Sequence, residues 1–218
     1  MTKTETTPED VLAFWFPDGP DPEPEAHLDH WVWRMRGGAH RAVIDRYTDI
    51  TRRAFLGDLD HWAATPQGRL ALIIVLDQFS RSVCADTPDA YAQDPKALAL
   101  CLEGFENGHF DALRNVWHKT VYKLPMEHCE GPDHLARLDR VIVIVGALVG
   151  EAPERLREMY KMAASQPRKH RAVIAQFGRH PHRNAILGRV STPAELEYLA
   201  AGVFPHQADL KKVVRGDP

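Results

Sequence analysis

The chain has 218 residues, 44% of them hydrophobic and 26% charged. That mix excludes wholesale disorder and supplies enough apolar surface for a buried core. The 27 Lys and Arg stand against 30 Asp and Glu, a formal net charge of −3, so the basic excess of a dedicated nucleic-acid binder is missing.

The first ten residues, Met1 to Asp10, have no basic start followed by an apolar stretch, so no secretory signal is expected. Thr7-Pro8 predicts a helix start. A threonine oxygen can cap an orphan backbone N–H, and proline at the first helical position lacks an N–H that would have no partner there. A helix is predicted over 8–16. Asp18 to Pro24 is read as an extended loop, because alternating prolines forbid a helix. The first 35 residues, rich in Pro and Trp, read as an arm packed on a single domain spanning 1–218. Phe14, Trp15, Phe16, Trp31 and Trp33 are read as core packing. Gly37-Gly38 marks a helix boundary, and the next helix is predicted over 39–56.

Thr65-Pro66 opens a helix over 66–83. Leu70, Ile73, Ile74 and Asp77 share one face; Leu72, Leu76, Phe79 and Val83 share another. A helix apolar on both faces is a buried one. Asp94-Pro95 is read as a further cap and start, with helices over 95–107 and 110–122. Leu135, Leu138, Val141, Ile142, Val145 and Leu148 repeat at three and four, so 132–149 is predicted helical despite its β-branched run. Further helices are predicted over 153–164, 168–177 and 193–201. The last starts at Thr192-Pro193, where Glu195 completes a capping box. No alternating strand pattern competes. The links are mostly short, which favours antiparallel helical neighbours. The fold expected is all-α, a stack of antiparallel helical hairpins. No repeat at 34 residues and no tetratricopeptide consensus is visible.

The longest apolar runs, Leu70–Leu76 and Val141–Gly150, fall short of the roughly 20 residues a membrane helix needs. Cys84, Cys101 and Cys129 are an odd number at wide spacing and form no CxxC pair. No disulfide framework and no cysteine zinc site is expected. The reading is a cytoplasmic protein with neither a membrane nor a nucleic acid as partner. No GxGxxG, Walker loop, GxSxG or HExxH is present, so no cofactor is named.

Polar residues gather in three segments. In the first, Asp77 and Arg81 are four apart and can pair on one turn. Asp77 shares its face with isoleucines, so it is either half of a buried ion pair or, with Gln78, part of a pocket lining. The second is Tyr122-Lys123-Leu124-Pro125-Met126-Glu127-His128-Cys129-Glu130. Pro125 breaks the preceding helix and places Glu127, His128 and Glu130 at a turn or a new helix start. A carboxylate beside an imidazole is the pair needed for general acid–base work. The same residues with His182 could ligate a metal, or Glu127 could serve as a cap. In the third, residues 179–189 hold three arginines and two histidines and no acid. Arg179, Arg183 and Arg189 offer planar bidentate donors suited to a carboxylate or phosphate. The helix start at Thr192 would favour the same anion. The alternatives are a solvated basic loop, or arginines paired with Asp77, Glu127 and Glu130 across the fold.

At these segments the chain resembles the bacterial domain-of-unknown-function 924 family, whose members are helical and classed as tetratricopeptide-like. The motifs are Leu72 to Phe79 with Arg81, the turn from Leu124 to His128 with Glu130, and Phe177-Gly178-Arg179 followed by Pro181 to Asn184 and Leu187 to Arg189. The resemblance implies an all-α fold of stacked antiparallel helices and no settled activity. The sequence departs from the family pattern at Ser80 and Ser82, which flank Arg81 where Pro-Arg-Asn is common, and at Cys129 and Gly131. It also carries His180 where an aromatic is usual. Asp77, Gln78, Arg81, Glu127, His128, Glu130, Arg179, His182, Arg183, Asn184 and Arg189 stand on matched positions.

Two functional readings follow, with a structural alternative beside them. In the first, the three segments converge on a pocket that binds a small anionic molecule. Arg179, Arg183 and Arg189 then clamp it, His182 and Asn184 line it, Asp77, Gln78, Arg81 and Glu130 support it, and Glu127 or His128 moves a proton. In the second, stacked hairpins form a groove for a protein or peptide partner. The alternative is that the polar segments form one buried network that holds the helices together.

Overall fold

The computed structural model describes residues 5–19 and 22–202. Pro20 and Asp21 of the expected proline loop, and His206, lie outside these. Every regular element among the described residues is helical and none is a strand, so the chain is all-α. In chain order the elements are α1 (Pro8–Trp15), α2 (Pro24–Met35), α3 (His40–Leu56), a 3-10 turn (Asp60–Ala64), α4 (Pro66–Ile74), a π turn (Val75–Phe79), α5 (Ser80–Val83) and α6 (Asp89–Ala92). They continue as α7 (Asp94–Glu106), α8 (His109–Ala112), α9 (Val116–Tyr122), α10 (Leu124–His128), α11 (His134–Glu151), a 3-10 turn (Glu154–Leu156), α12 (Arg157–Ala163), α13 (Gln166–Phe177), a 3-10 turn (Pro181–Arg183) and α14 (Pro193–Ala201). No helix among the described residues is long and apolar enough to cross a membrane.

The elements form two compact units. One comprises the residues up to Pro22, Ala39–Ala85 and Asp89–Pro125; the other comprises Glu23–Gly38, Asp86–Pro88 and the residues from Met126 on.

The first unit is built around α4. Every residue from Leu70 to Leu76 is buried, as the two apolar faces predict. Each such Leu, Ile or Val contributes about 1.5–3 kcal/mol of burial. α1, α7 and α9 pack on α4, while α3 packs on the π turn and α5. Phe14, Trp15, Tyr47 and Phe79 form an aromatic group with centroids 4.8–6.2 Å apart. The expected helix over 66–83 is not uniform. The Ser80 N–H reaches back five residues to the Val75 carbonyl, and this wider turn separates α4 from α5. The span predicted over 110–122 is broken too. Leu113 turns extended and buries its side chain, and Asn115 is extended before the chain re-enters a helix as α9.

In the second unit α12 and α13 pack on α11. Leu138, Val141, Val145 and Leu148 are buried while Val143 on the opposite face is 73% exposed, so the helical spacing wins over the β-branched run. The unit also contains α2, which replaces the C-terminal end of the expected proline loop. Pro24 is its first residue, a position where a missing N–H costs nothing. His27, Leu28, Trp31 and Arg34 form its buried stripe. The His27 Nε2 lies 3.1 Å from the Tyr160 hydroxyl of α12.

Three of the four expected caps form. Thr7 and Thr192 each complete a capping box, and Thr65 accepts from the Gly68 N–H at 3.1 Å. Asp94 does not cap. It is itself the first residue of α7, after Gln93, and its carboxylate accepts from Arg81 at 2.6 Å.

Candidate functional site

The first polar segment lies in the first unit. Asp77 is 1% exposed and sits in the π turn. The Gln78 amide donates to its carboxylate. Arg81 is held on several sides. It donates to the Ala90 carbonyl and to Asp94, stands 3.5 Å from Asp77, and lies over the Tyr91 ring at 4.6 Å. This is the predicted i, i+4 pair with a second carboxylate added from α7. Two buried carboxylates on one guanidinium tie the π turn to α6 and α7.

The second and third segments meet in the second unit. Gly178, at φ +69°, ends α13 in the left-handed conformation that glycine adopts without a steric penalty. The chain then runs through 179–191 and returns to a helix at Thr192. Two arginines fix this loop. Arg179 donates to both oxygens of Glu195 at 2.7 and 2.8 Å, and to the Val190 carbonyl at 3.0 Å. The Arg179 hydrogen bonds hold the Glu195 carboxyl down to about 2, and its bond from the Thr192 N–H adds to that. Arg189 donates to Glu130 at 2.5 and 3.3 Å and to the His180 carbonyl at 3.1 Å. Glu130 also accepts the His180 N–H at 2.7 Å. Burial works against its charge, but the bonds from Arg189 and His180 and the Arg183 guanidinium outweigh it, so the carboxyl stays below its ordinary value. Asn184 donates to the Ser191 hydroxyl at 2.9 Å, which closes the loop internally.

Inside this frame lies a group of five imidazoles. The His180 ring is 5.4 Å from His134, 5.8 Å from His170 and 5.4 Å from His182; His170 is in turn 6.5 Å from His128. His134 and His180 are buried, at 0% and 2% exposure, while His128, His170 and His182 are half-buried. The Glu127 carbonyl lies 2.9 Å from His134 Nε2 and 3.4 Å from His180 Nε2. A carbonyl only accepts, so both rings carry their proton on Nε2 when neutral. Burial pushes His134 down to about 4, with Arg137 and Arg183 lowering it further. Burial also holds His180 far below its usual value, reinforced by Arg183 and by His170, His182 and His134. Arg137 closes the floor. It donates to the Met126 carbonyl at 3.1 Å, to the Cys129 carbonyl at 2.8 Å, and to Asp133 at 3.0 Å.

The structure therefore brings together Glu127 through its carbonyl, His128, Glu130, His182, Arg183 and Arg189. It turns Arg179 toward Glu195 and Asn184 toward Ser191. Among the described residues no group of three or more His, Cys, Asp or Glu is placed to hold a metal ion, so the ligand set of Glu127, His128, Glu130 and His182 is not assembled. His134, Arg137 and Glu195 are the functional-site neighbours that the motif reading passed over. His134 carries a signal: it extends the stripe of Leu138, Val141, Val145 and Leu148 by one turn, which marks a buried histidine. Arg137 stands four residues after Asp133, the spacing of an intrahelical pair.

The sequence profile of a family described as bacterial proteins of unknown function, DUF924, matches residues 11–203. A solved structure of a protein of unknown function from Agrobacterium tumefaciens is similar to the chain at 29% identity and a TM-score of 0.64, covering 89% of this chain and 97% of that one. No curated protein matches. The matched span holds all three polar segments and both units' main helices, and on it the chain belongs to the bacterial DUF924 family.

Proposed function

We propose that the second unit binds a small anionic molecule, a carboxylate or a phosphate, at the imidazole group. The observation that carries this reading is the cluster itself: five imidazoles, each within 6.5 Å of a neighbour, with the buried Arg183 guanidinium acting on His180, His134 and Glu130. His128, His170 and His182 supply N–H donors at the half-buried edge. Arg179 and Arg189 are the frame and not the clamp, because their donors go to Glu195 and Glu130. Within this reading His128 is the proton-transfer group, since it stands at the half-buried edge while Glu127 is buried.

Calorimetric titration with inorganic phosphate, pyrophosphate and succinate tests this. At least one is expected to bind, with Arg183→Ala and His182→Gln each weakening it tenfold or more at unchanged thermal stability, about 1.4 kcal/mol or more. If none binds the unaltered protein, or both variants bind as tightly as it does, the reading fails. A melting temperature that collapses in Arg183→Ala alone marks that side chain as structural and leaves His182→Gln to decide.

A second reading has support in the packing of α11 on both α12 and α13. It takes these as tetratricopeptide-like hairpins whose surface seats a protein or peptide. It predicts that no small anion binds at the imidazoles.

A further inference from the structure

Five imidazoles and a guanidinium share one small volume, and this sets how the site must respond to an anion. A proton added to His134 or His180 is opposed first by burial and then by Arg183. His180 has imidazoles on three sides, with His134, His170 and His182 all within 5.8 Å. The acids nearby are engaged. Glu130, on the turn after α10, is held by Arg189 and the His180 N–H. Asp133, at the head of α11, is held by Arg137. α10 adds His128 and the buried Glu127, α11 adds Arg137, and α13 adds His170.

The tautomers fix where a new proton goes. His134 and His180 both use Nε2 on the Glu127 carbonyl, so Nδ1 is the basic atom of each ring. The His134 Nδ1 has no hydrogen-bond partner, and that ring is the deepest of the group. The half-buried rings at the edge are the ones a bound anion meets first.

We propose that the imidazole group takes up protons as it binds its anion, so that the site loads at acid pH and empties as pH rises. The inference rests on the anion reading above and adds its regulation. A bound dianion offsets the cost that burial and Arg183 place on a protonated ring, and each ring that gains a proton gains a charged hydrogen bond to the anion. Linkage makes the effect reciprocal. If the anion favours the protonated rings, protons favour the anion to the same degree. Each proton taken up makes the affinity change about tenfold per pH unit within the titrating range.

The experiment titrates the full chain with inorganic sulfate at pH 8, 7 and 6 and constant ionic strength. Sulfate has no proton to lose across this range, so the protein supplies the whole dependence. Affinity is expected to rise about tenfold or more from pH 8 to pH 6. Repeating the titration in buffers of different ionisation enthalpy is expected to give a net uptake of about one proton. In proton NMR of the unaltered protein, the imidazole signals are expected to shift on adding sulfate at pH 6 and much less at pH 8, a readout that needs no variant to fold. Binding at the same affinity at every pH, with no proton uptake, overturns the linkage and leaves the anion reading standing. If sulfate, phosphate, pyrophosphate and succinate all fail to bind at every pH, both readings fall.

Discussion

Gly104 and Tyr122 test whether α7 and α9 meet as closely as their packing requires. A methyl added at Gly104 would fall inside the Tyr122 hydroxyl, 2.7 Å from its Cζ and 3.1 Å from the Arg69 Cδ. Neither neighbour can withdraw. Tyr122 is fully buried, and Arg69 is fixed by His109 at 3.1 Å, the Leu100 carbonyl at 3.0 Å and Glu103 at 3.0 Å. Overpacking of this kind costs about 1–3 kcal/mol, and here the upper end applies because the overlap is with a polar atom. A glycine-to-alanine change inside a helix returns about 1 kcal/mol. Gly104→Ala is therefore expected to destabilise by about 2 kcal/mol net, a fall of about 4–8 °C in melting temperature for a chain of this size. Tyr122→Phe acts the other way. Its hydroxyl is buried with no hydrogen-bond partner, and burial pushes its ionisation up, out of reach. Removing it is expected to gain about 1 kcal/mol. It also removes the atom that the methyl overlaps, while the Cζ stays 2.7 Å from it, so the double variant is expected to lie near the unaltered protein. Circular dichroism melts of the four proteins measure the coupling. Additive effects, or a Gly104→Ala variant as stable as the parent, would refute the close approach.

Two predictions concern pH. The Glu195 carboxyl sits at about 2 in the fold against an ordinary 4.5, so the unfolded chain takes the proton first. The contribution of Glu195 is whole above 4.5 and is lost as pH falls toward 2. Urea midpoints from pH 5 to 2.5 are expected to fall less steeply in Glu195→Gln, and an equal slope would count against the Arg179 clasp. His134 is held at about 4 against 6.5 by burial first. Its neutral form is favoured in the fold, so its contribution is whole above 6.5 and is lost on acidification to about 4, by about 3 kcal/mol. His134→Gln keeps a donor for the Glu127 carbonyl and removes the titration. Melts between pH 7 and 4 are expected to flatten in that variant; an unchanged acid limb would place the titration elsewhere.

The fold was legible where a single periodicity ruled. α4 is apolar on both faces and is buried throughout. α11 shows its stripe through a run of β-branched residues, and Thr7, Thr65 and Thr192 mark their helices by chemistry alone. Legibility failed where two local signals conflicted or where tertiary packing decided. The alternating prolines argue for a loop, yet the last of them, Pro24, opens α2, and its buried stripe of His27, Leu28, Trp31 and Arg34 mixes two apolar residues with two polar ones. Asp94 before Pro95 fits a cap and a first helical residue equally well. The choice is made by Arg81, which lies 13 residues earlier in sequence. The π turn at Val75–Phe79 has no mark in its own composition. Helical spacing assigns Asp77 to a face, but the wider turn sets what that face meets.

The site shows a sharper division. An acid-free run of three arginines between 179 and 189 reads as surplus positive charge. In the fold, Arg189 and Arg179 are matched by acids brought from elsewhere: Glu130, which lies 59 residues before Arg189, and Glu195, which lies 16 residues after Arg179. Local charge therefore overstates what the loop can offer a ligand, because ion pairs across a fold are invisible to a count along it. The imidazoles are undercounted by the same logic. Five of them, drawn from α10, α11, α13 and the loop, look unrelated in sequence and end within 6.5 Å of a neighbour. They add nothing to the formal charge, and the two deepest, His134 and His180, are kept neutral first of all by burial. Fixed charge holds the loop in place around them. A substitution at Arg179 thus reads the frame, whereas one at His182 reads the site.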